Sequence, residues 1–495
     1  MSELAAGSPA RAEALVPLRS RAGAALIAAT VLASGVAWYD AYVVNVAVPA
    51  LGTHFGASVT AVQWTLTSYL LAVAALLLLA GALADRFGRR RILVIGLGVM
   101  LAGSVLCATA PSIEWLIGAR AVQGVGAALV VPISLALLNG TLRVSDRARG
   151  IGIWAGLSTL MTTVGPYAGG WLIDHASWHW VFLVPIPLIL VVFVVLRAVP
   201  DPSQASRSLS VDVVGAVLGA LGLGGVVYAL SEGAASGWSS PRVLVAGVVG
   251  VVSLVVLLPY ERRQRAPMLK LSLFGSRQFD AINVVTVLLY GALAAAGYLF
   301  VVMCQLKLGY TAAQSGAALI PASVVFLILS PFSGSLVSRV GPRWLMVAGI
   351  VLIALAQVLL AQVEPGSGYL TAILPAALVQ GAGLGLTVTP LTAAVLAAVS
   401  DADLGEASAV NDAAARVGAV AAIALVPVLL GVGAGSSLAE SLTDGYRPAM
   451  IVLGAVCAGA AIVAGLFVSN ERADAPRLAP PAPHHGCALP VTSSH

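Results

Sequence analysis

The chain has 495 residues, of which 59% are hydrophobic and only 9% charged, against about 25% charged in soluble domains. No water-soluble fold hides that much apolar surface, so the composition predicts an all-α protein that crosses a membrane many times. The formal net charge of +5 decides little, because the position of Lys and Arg matters more than their sum in such a protein.

Apolar runs long enough for spans of about 20 residues fall near 22–50, 59–84, 92–110, 112–139, 148–172, 179–199, 212–231, 241–259, 280–304, 312–337, 343–363, 368–398, 405–433 and 447–468, fourteen in all. The first twenty residues lack the short apolar core of a cleaved signal peptide, so the first run is expected to stay as a helix. The four cysteines, Cys107, Cys304, Cys457 and Cys487, show no spacing for metal ligation or a disulfide frame. With both termini placed inside, 21 of the 26 Lys and Arg fall in inside segments. Three (Arg242, Lys307, Arg447) fall outside and two (Arg120, Arg416) within spans. That bias predicts an even number of spans and a multi-pass plasma-membrane protein with both termini cytoplasmic.

The densest charge cluster links the second and third runs, from Gly81 through Asp85, Arg86, Gly88, Arg89 and Arg90 to Arg91. It returns in weaker form from Gly334 to Arg343, with Ser338 where Asp85 stands. Each copy joins the second and third spans of a six-span block. The distance between copies exceeds one block by about 60 residues, enough for two extra spans of the length a bilayer needs. The predicted layout is a cytoplasmic tail (1–21), a six-helix half (22–205), a two-helix insertion with linkers (206–276), a second six-helix half (277–469) and a disordered cytoplasmic tail rich in Pro, Ala and Ser (470–495).

These stretches carry a family resemblance. Gly81–Arg91 resembles the signature loop of the major facilitator superfamily, Gly-x-x-x-Asp-Arg-x-Gly-Arg-Arg. Tyr39 to Pro49, containing Asp40 and Asn45, is similar to the Asp-x-Thr-x-x-Asn-x-x-x-Pro pattern of drug:proton antiporters, with Tyr42 where that pattern usually has Thr. Gln63-Trp64…Tyr69 looks like the start of the second helix in the fourteen-helix branch, and Arg120-Ala-Val-Gln123-Gly124 matches Arg-x-x-Gln-Gly. Gly165-Pro166-Tyr-Ala-Gly169-Gly170 is similar to the antiporter motif of exporters, although Met161 replaces a glycine often found four residues earlier. Trp178 to Phe182 and Asp212…Gly215 also resemble the fourteen-helix drug exporters. The resemblance implies proton coupling through Asp40 and Arg120. It implies a cytoplasmic gate motif at Gly81, Asp85, Arg86, Gly88, Arg89 and Arg90, and an antiporter motif at Gly165, Pro166, Gly169 and Gly170.

The residues support a physical reading beside it. Asp40 lies roughly ten residues from the outer end of its helix and Arg120 about eight from the same side, so at about 1.5 Å per residue they share a depth and an ion pair is geometrically open to them. A buried charge can serve structure alone, but its cost usually marks an ion pathway. Parting the two would change the proton affinity of the carboxylate, which is what coupling requires. Trp38, Tyr42, Asn45 and Pro49 recur at spacings that share one helix face, with Asp40 nearly opposite. Trp38, Tyr42 and Asn45 are therefore candidates to line a cavity, or else simply pack; Gln63, Trp64, Trp154 and Tyr298 are further candidates. Asp412 and Arg416 stand at i,i+4 and are expected to pair. Gly381-Ala-Gly383-Leu-Gly385 looks like a phosphate loop only as a string; inside an apolar helix, its small residues suit close helix packing.

The expected function is a proton-coupled exporter of small amphipathic or lipophilic molecules, drugs among them, working by alternating access as a monomer in the bilayer. It needs no cofactor beyond a proton gradient, no metal and no nucleic acid. Apart from Asp412 the second half has no deeply placed acid, so a neutral, zwitterionic or monocationic substrate fits better than a dication. A dedicated exporter of an endogenous metabolite or lipid precursor is the alternative. An enzyme would need a nucleophile–base or metal constellation, which the sequence lacks, and a channel would not need the two-half repeat.

Overall fold

The computed structural model describes residues 15–200, 212–264, 270–400, 403–431 and 438–470. The distal tails, most of the Pro200–Ser210 linker, part of the segment after Glu261, and Cys487 lie outside them. No strand forms among the described residues; a single backbone bridge joins Val16 to Leu142. The helices are α1 (Arg21–Phe55), α2 (Val59–Phe87), α3 (Arg89–Ala108), α4 (Ile113–Thr141), α5 (Val144–His175), α6 (His179–Leu183), α7 (Pro185–Leu196), α8 (Val213–Ser236), α9 (Pro241–Arg263), α10 (Arg277–Leu306), α11 (Ala312–Ala317), α12 (Ile320–Val340), α13 (Pro342–Leu360), α14 (Leu374–Ala397), α15 (Leu404–Ala424), α16 (Val426–Leu429) and α17 (Leu438–Phe467).

Local chemistry sets their ends. Ser20, Ser58, Ser112 and Ser276 each accept a backbone N–H in the first turn of α1, α2, α4 and α10, satisfying a donor that the helix itself cannot. Pro185 opens α7 and divides one apolar run into two helical pieces.

Twelve stretches among the described residues are long and apolar enough to cross a bilayer, where the sequence predicts fourteen spans. The two left out correspond to α5 and α15. Both are helical, but α5 carries Asp146, Arg147, Arg149, Thr162 and Thr163, and α15 carries Glu406, Asn411, Asp412 and Arg416. Their polar side chains dilute the hydropathy, and three of them, Thr162, Thr163 and Arg416, line a cavity within the molecule. Several other helices overrun their predicted limits: α2 continues to Phe87 and α10 starts at Arg277.

Helix pairings before residue 200 recur after residue 277. Packing of α1 on α5, α2 on α4 and α3 on α4 is matched by α10 on α15, α12 on α14 and α13 on α14. Between the two sets, α8 and α9 pair with each other, and α8 rests on α2 and α15. The repeat extends to the backbone. A single glycine separates α2 from α3 and α12 from α13, and Gly88 and Gly341 take φ of 95° and 87°, a region open to glycine at little cost. Gly81, by contrast, has open space where a Cβ would stand, so close packing is not its role.

The two halves touch chiefly at the end remote from the Gly81–Arg91 link. There Asp174 of α5 accepts from the N–H groups of Ala312 (3.0 Å) and Ala313 (2.9 Å) at the start of α11. Gln305 donates to the carbonyl of Val46 at 3.0 Å, and Gln63 to that of Ile423. A Cβ on Gly170 would meet the Ala312 carbonyl oxygen at 2.3 Å, and one on Gly316 the Pro166 oxygen at 2.4 Å. The backbones of α5 and α11 are thus nearly in contact, as small residues permit. At the link end, Arg89 donates to Ala136 O and Arg90 to Val199 O, both at 3.0 Å and both within the first half.

Candidate functional site

Three helices bring their polar side chains to one buried point. Asp40 on α1 and Arg120 and Gln123 on α4 are almost wholly excluded from the surface. Gln123 is three residues beyond Arg120 and so shares its face. The guanidinium spends its donors on oxygens: Nε on Thr65 O at 3.0 Å, Nη1 on Gln123 Oε1 at 2.6 Å, and Nη2 on the backbone O of Asp40 at 3.1 Å. Its plane lies 4.1 Å from the centre of the Tyr69 ring, a cation–π arrangement that offsets burial of the charge. The carboxylate of Asp40 accepts instead from Gln123 Nε2, at 2.7 Å on Oδ2, and Gln123 also donates to Ser104 Oγ at 2.9 Å.

The ion pair anticipated between Asp40 and Arg120 is therefore not formed. One amide stands between the two charges, its oxygen on the cation and its nitrogen on the anion. Arg120 reaches Asp40 only at the main chain. Asp40 Oδ1 meets no donor among the described residues. Gln123 was present in the Arg-x-x-Gln-Gly string but not among the expected site residues; the three-residue spacing from Arg120 was the signal for it.

Beside this cluster, a cavity of about 230 Å³ opens between the halves. Tyr42 and Asn45 of α1 line it, along with Thr162, Thr163 and Pro166 of α5, Ser315 and Ser323 from the second half, and Arg416 of α15. Asp40 points the other way, into α4, as the helical spacing suggests.

The remaining cavity candidates are engaged elsewhere. Trp38 lies under Arg416, whose Cζ is 4.3 Å from the ring centre, and it faces a separate, smaller recess. Gln63 bonds to α15, and Trp64 Nε1 donates to Glu232 of α8 at 3.0 Å. Trp154 donates to Ser34 of α1 at 3.0 Å. Tyr298 is fully buried in the second half with its hydroxyl unpartnered among the described residues. Trp64 and Trp154 are tethering groups here, because their indole N–H groups found acceptors on neighbouring helices. Asp412 and Arg416 share one stretch of α15 and their charges act on each other, but they do not come within ion-pair distance among the described residues.

In the antiporter motif, Gly169 and Gly165 let α5 close on Val43 and Tyr39 of α1, while Pro166 and Gly170 abut α11. One short stretch thus touches both halves. In the gate motif, Arg86 lies 5.2 Å over the ring of Phe87, and the side chains of Asp85 and Ser338 lie outside the described residues.

Comparison with known proteins agrees with this architecture. The model of the Major Facilitator Superfamily matches residues 30–330 and 282–488. The chain is 33% identical to Multidrug resistance protein Stp of Mycobacterium tuberculosis (strain CDC 1551 / Oshkosh) over 407 residues, covering 81% of this chain and 75% of the relative. It is 32% identical to the Methylenomycin A resistance protein of Bacillus subtilis (strain 168) over 454 residues, with 90% and 95% covered. It is 34% identical to a puromycin resistance protein of Streptomyces alboniger over 426 residues, with 84% and 83% covered. Among solved structures, the peptide transporter POT in complex with sulfate superposes with a TM-score of 0.68 at 16% identity, over 94% of this chain and 100% of that one; the likeness is one of fold. Twelve bilayer-length helices, a cavity between two like-packed halves and these matches lead to one conclusion: the chain belongs to the Major Facilitator Superfamily and is a multi-pass membrane transporter, not an enzyme.

Proposed function

We propose that the chain is a proton-coupled exporter of small amphipathic or lipophilic compounds, antibiotics among them, working by alternating access. In this reading α5 and α15 also cross the bilayer, giving fourteen spans, six in each half and two inserted, with both termini cytoplasmic. The Gly81–Arg91 link then marks the cytoplasmic end, and the contacts of Asp174, Gly170 and Gly316 seal the outer end. Relatives named for multidrug, methylenomycin A and puromycin resistance support export as the direction.

The observation that carries the proposal is the position of Asp40. It is a fully buried carboxylate on α1, hydrogen-bonded by Gln123, while Tyr42 and Asn45 of the same helix line the cavity. A proton arriving at Asp40 removes the negative charge and weakens the charge-assisted bond from Gln123. That frees α1 to shift against α4, and any shift of α1 moves the cavity wall. Proton and substrate occupancy are thereby linked through one helix, in the reciprocal manner coupling requires. Arg120 holds α4 to the backbones of α1 and α2 while this happens. The test is export from proteoliposomes under an imposed pH gradient. Asp40→Asn is expected to abolish gradient-driven efflux while the protein still folds and inserts, and undiminished gradient-driven efflux would remove Asp40 from the coupling role.

A further inference from the structure

We infer that Arg416 recognises an anionic head group, so that the cavity takes amphipathic molecules bearing a carboxylate or a comparable single negative charge. This deepens the export reading and rests on it for the identity of the cavity as a substrate site.

The argument begins with a census of the cavity wall. Of its lining residues, Arg416 alone carries a formal charge; no Asp, Glu or Lys shares the surface. The rest of the wall is apolar or neutral, and an arginine in such surroundings costs free energy unless an anion or a set of acceptors compensates it. Among the described residues Arg416 has neither a hydrogen bond nor an ion pair. Arg120 makes the contrast, with three acceptors around its guanidinium.

Arg416 is nevertheless held in place. Its guanidinium lies over Trp38 at 4.3 Å. The contact with the indole supplies no oxygen acceptor, so the N–H donors of the guanidinium are left for a ligand, and a guanidinium fork matches a carboxylate bidentately. The indole comes from α1 and the arginine from α15, so the recognition point spans both halves.

The other ionisable groups around it do not substitute for a ligand. Asp412, one turn earlier on α15, lies near enough for its charge and that of Arg416 to act on each other, but it stays beyond ion-pair distance and does not line the cavity, so it leaves the donors of Arg416 unmet. Asp40 is turned into α4 and held by Gln123. Tyr42 of α1, Tyr69 of α2 and Tyr290 of α10 bring hydroxyl groups and no carboxylate. The volume of about 230 Å³ lies below the roughly 300–1,000 Å³ of drug-sized pockets, which suits a charged head with one or two fused rings.

The test uses the full chain in lipid nanodiscs and three probes that share one ring system: 1-naphthaleneacetate, its neutral amide 1-naphthaleneacetamide, and the cation 1-naphthalenemethylamine, titrated by calorimetry at pH 7. The carboxylate is expected to bind at least ten-fold more tightly than the amide, and the amine most weakly. Arg416→Gln should bring carboxylate and amide within two-fold, whereas Arg416→Lys should keep the order. Absence of carboxylate binding, equal affinities or an amine preference in the unaltered chain overturns the assignment, as does a preference that survives Arg416→Gln. The series on the unaltered chain decides even if the glutamine variant fails to fold. Gradient-driven flux of the carboxylate in proteoliposomes separates the two readings. A binding preference without flux removes the export reading and leaves the anion site. Efflux of other compounds without the preference does the reverse.

Discussion

Gly170→Ala tests how the two halves are held together. The added methyl carbon would stand 2.3 Å from the Ala312 oxygen, 2.4 Å from its carbonyl carbon and 2.5 Å from the Ala313 nitrogen. Ordinary contact begins near 3.4 Å, so the shortfall is about 1 Å. Every atom met is main chain in the other half, so no rotamer change relieves it; α5 and α11 must part. Overpacking of this kind costs about 1–3 kcal/mol, and that cost falls on the sealed arrangement alone, shifting the balance between sealed and parted states about 5- to 150-fold. With the four native cysteines replaced by serine, nitroxides at Thr53 and Glu364, both exposed beyond that end, report the separation by pulsed electron resonance. Gly170→Ala should enlarge the long-distance population. Gly81→Ala, whose methyl meets nothing within 4 Å, should leave it unchanged. Identical distance distributions for the two variants would refute the reasoning.

Three further outcomes follow from the described contacts. Gln123→Ala leaves Arg120 Nη1 and Asp40 Oδ2 without their shared partner, and should lower stability by about 1–3 kcal/mol, read as the thermal midpoint in detergent, with loss of gradient-driven efflux. An unshifted midpoint would mean that the amide does not join the two charges. Asp174→Ala removes the carboxylate that accepts from α11 across the interface and should cost about 1 kcal/mol of the sealed state, widening the Thr53–Glu364 distances in the same direction as Gly170→Ala, though less. Tyr298→Phe discards a buried hydroxyl that has no partner among the described residues. It should leave efflux unchanged and the midpoint equal or higher, and a fall in either would return Tyr298 to a working role.

The helices were legible because their apolar runs are long, and the repeat because a charged link recurs at a fixed place in each half. The two least apolar helices, α5 and α15, show where hydropathy loses force: side chains such as Thr162, Thr163 and Arg416 line the cavity between the halves, and composition cannot say that a cavity lies there. The shared depth of Asp40 and Arg120 followed from counting residues. The amide between them did not, because depth fixes distance along the axis and says nothing of what lies across it. Trp64, Trp154 and Gln63 were polar enough to suggest a cavity, but each met an acceptor, Glu232, Ser34 and the Ile423 carbonyl, on a helix far away in sequence. Arg416 was assigned to Asp412 by local spacing, whereas its indole partner lies on α1, more than three hundred residues earlier.

The turns at Gly88 and Gly341 have a mechanical consequence. Each joins two membrane-length helices through a single residue of left-handed backbone, so there is no slack at either turn. A displacement of the last turn of α2 must carry the start of α3 with it, and the same holds for α12 and α13. Each pair is therefore tied at one end while its far ends stay free to part, and lengthening the turn by a few flexible residues would release that tie without touching a single side chain of the cavity.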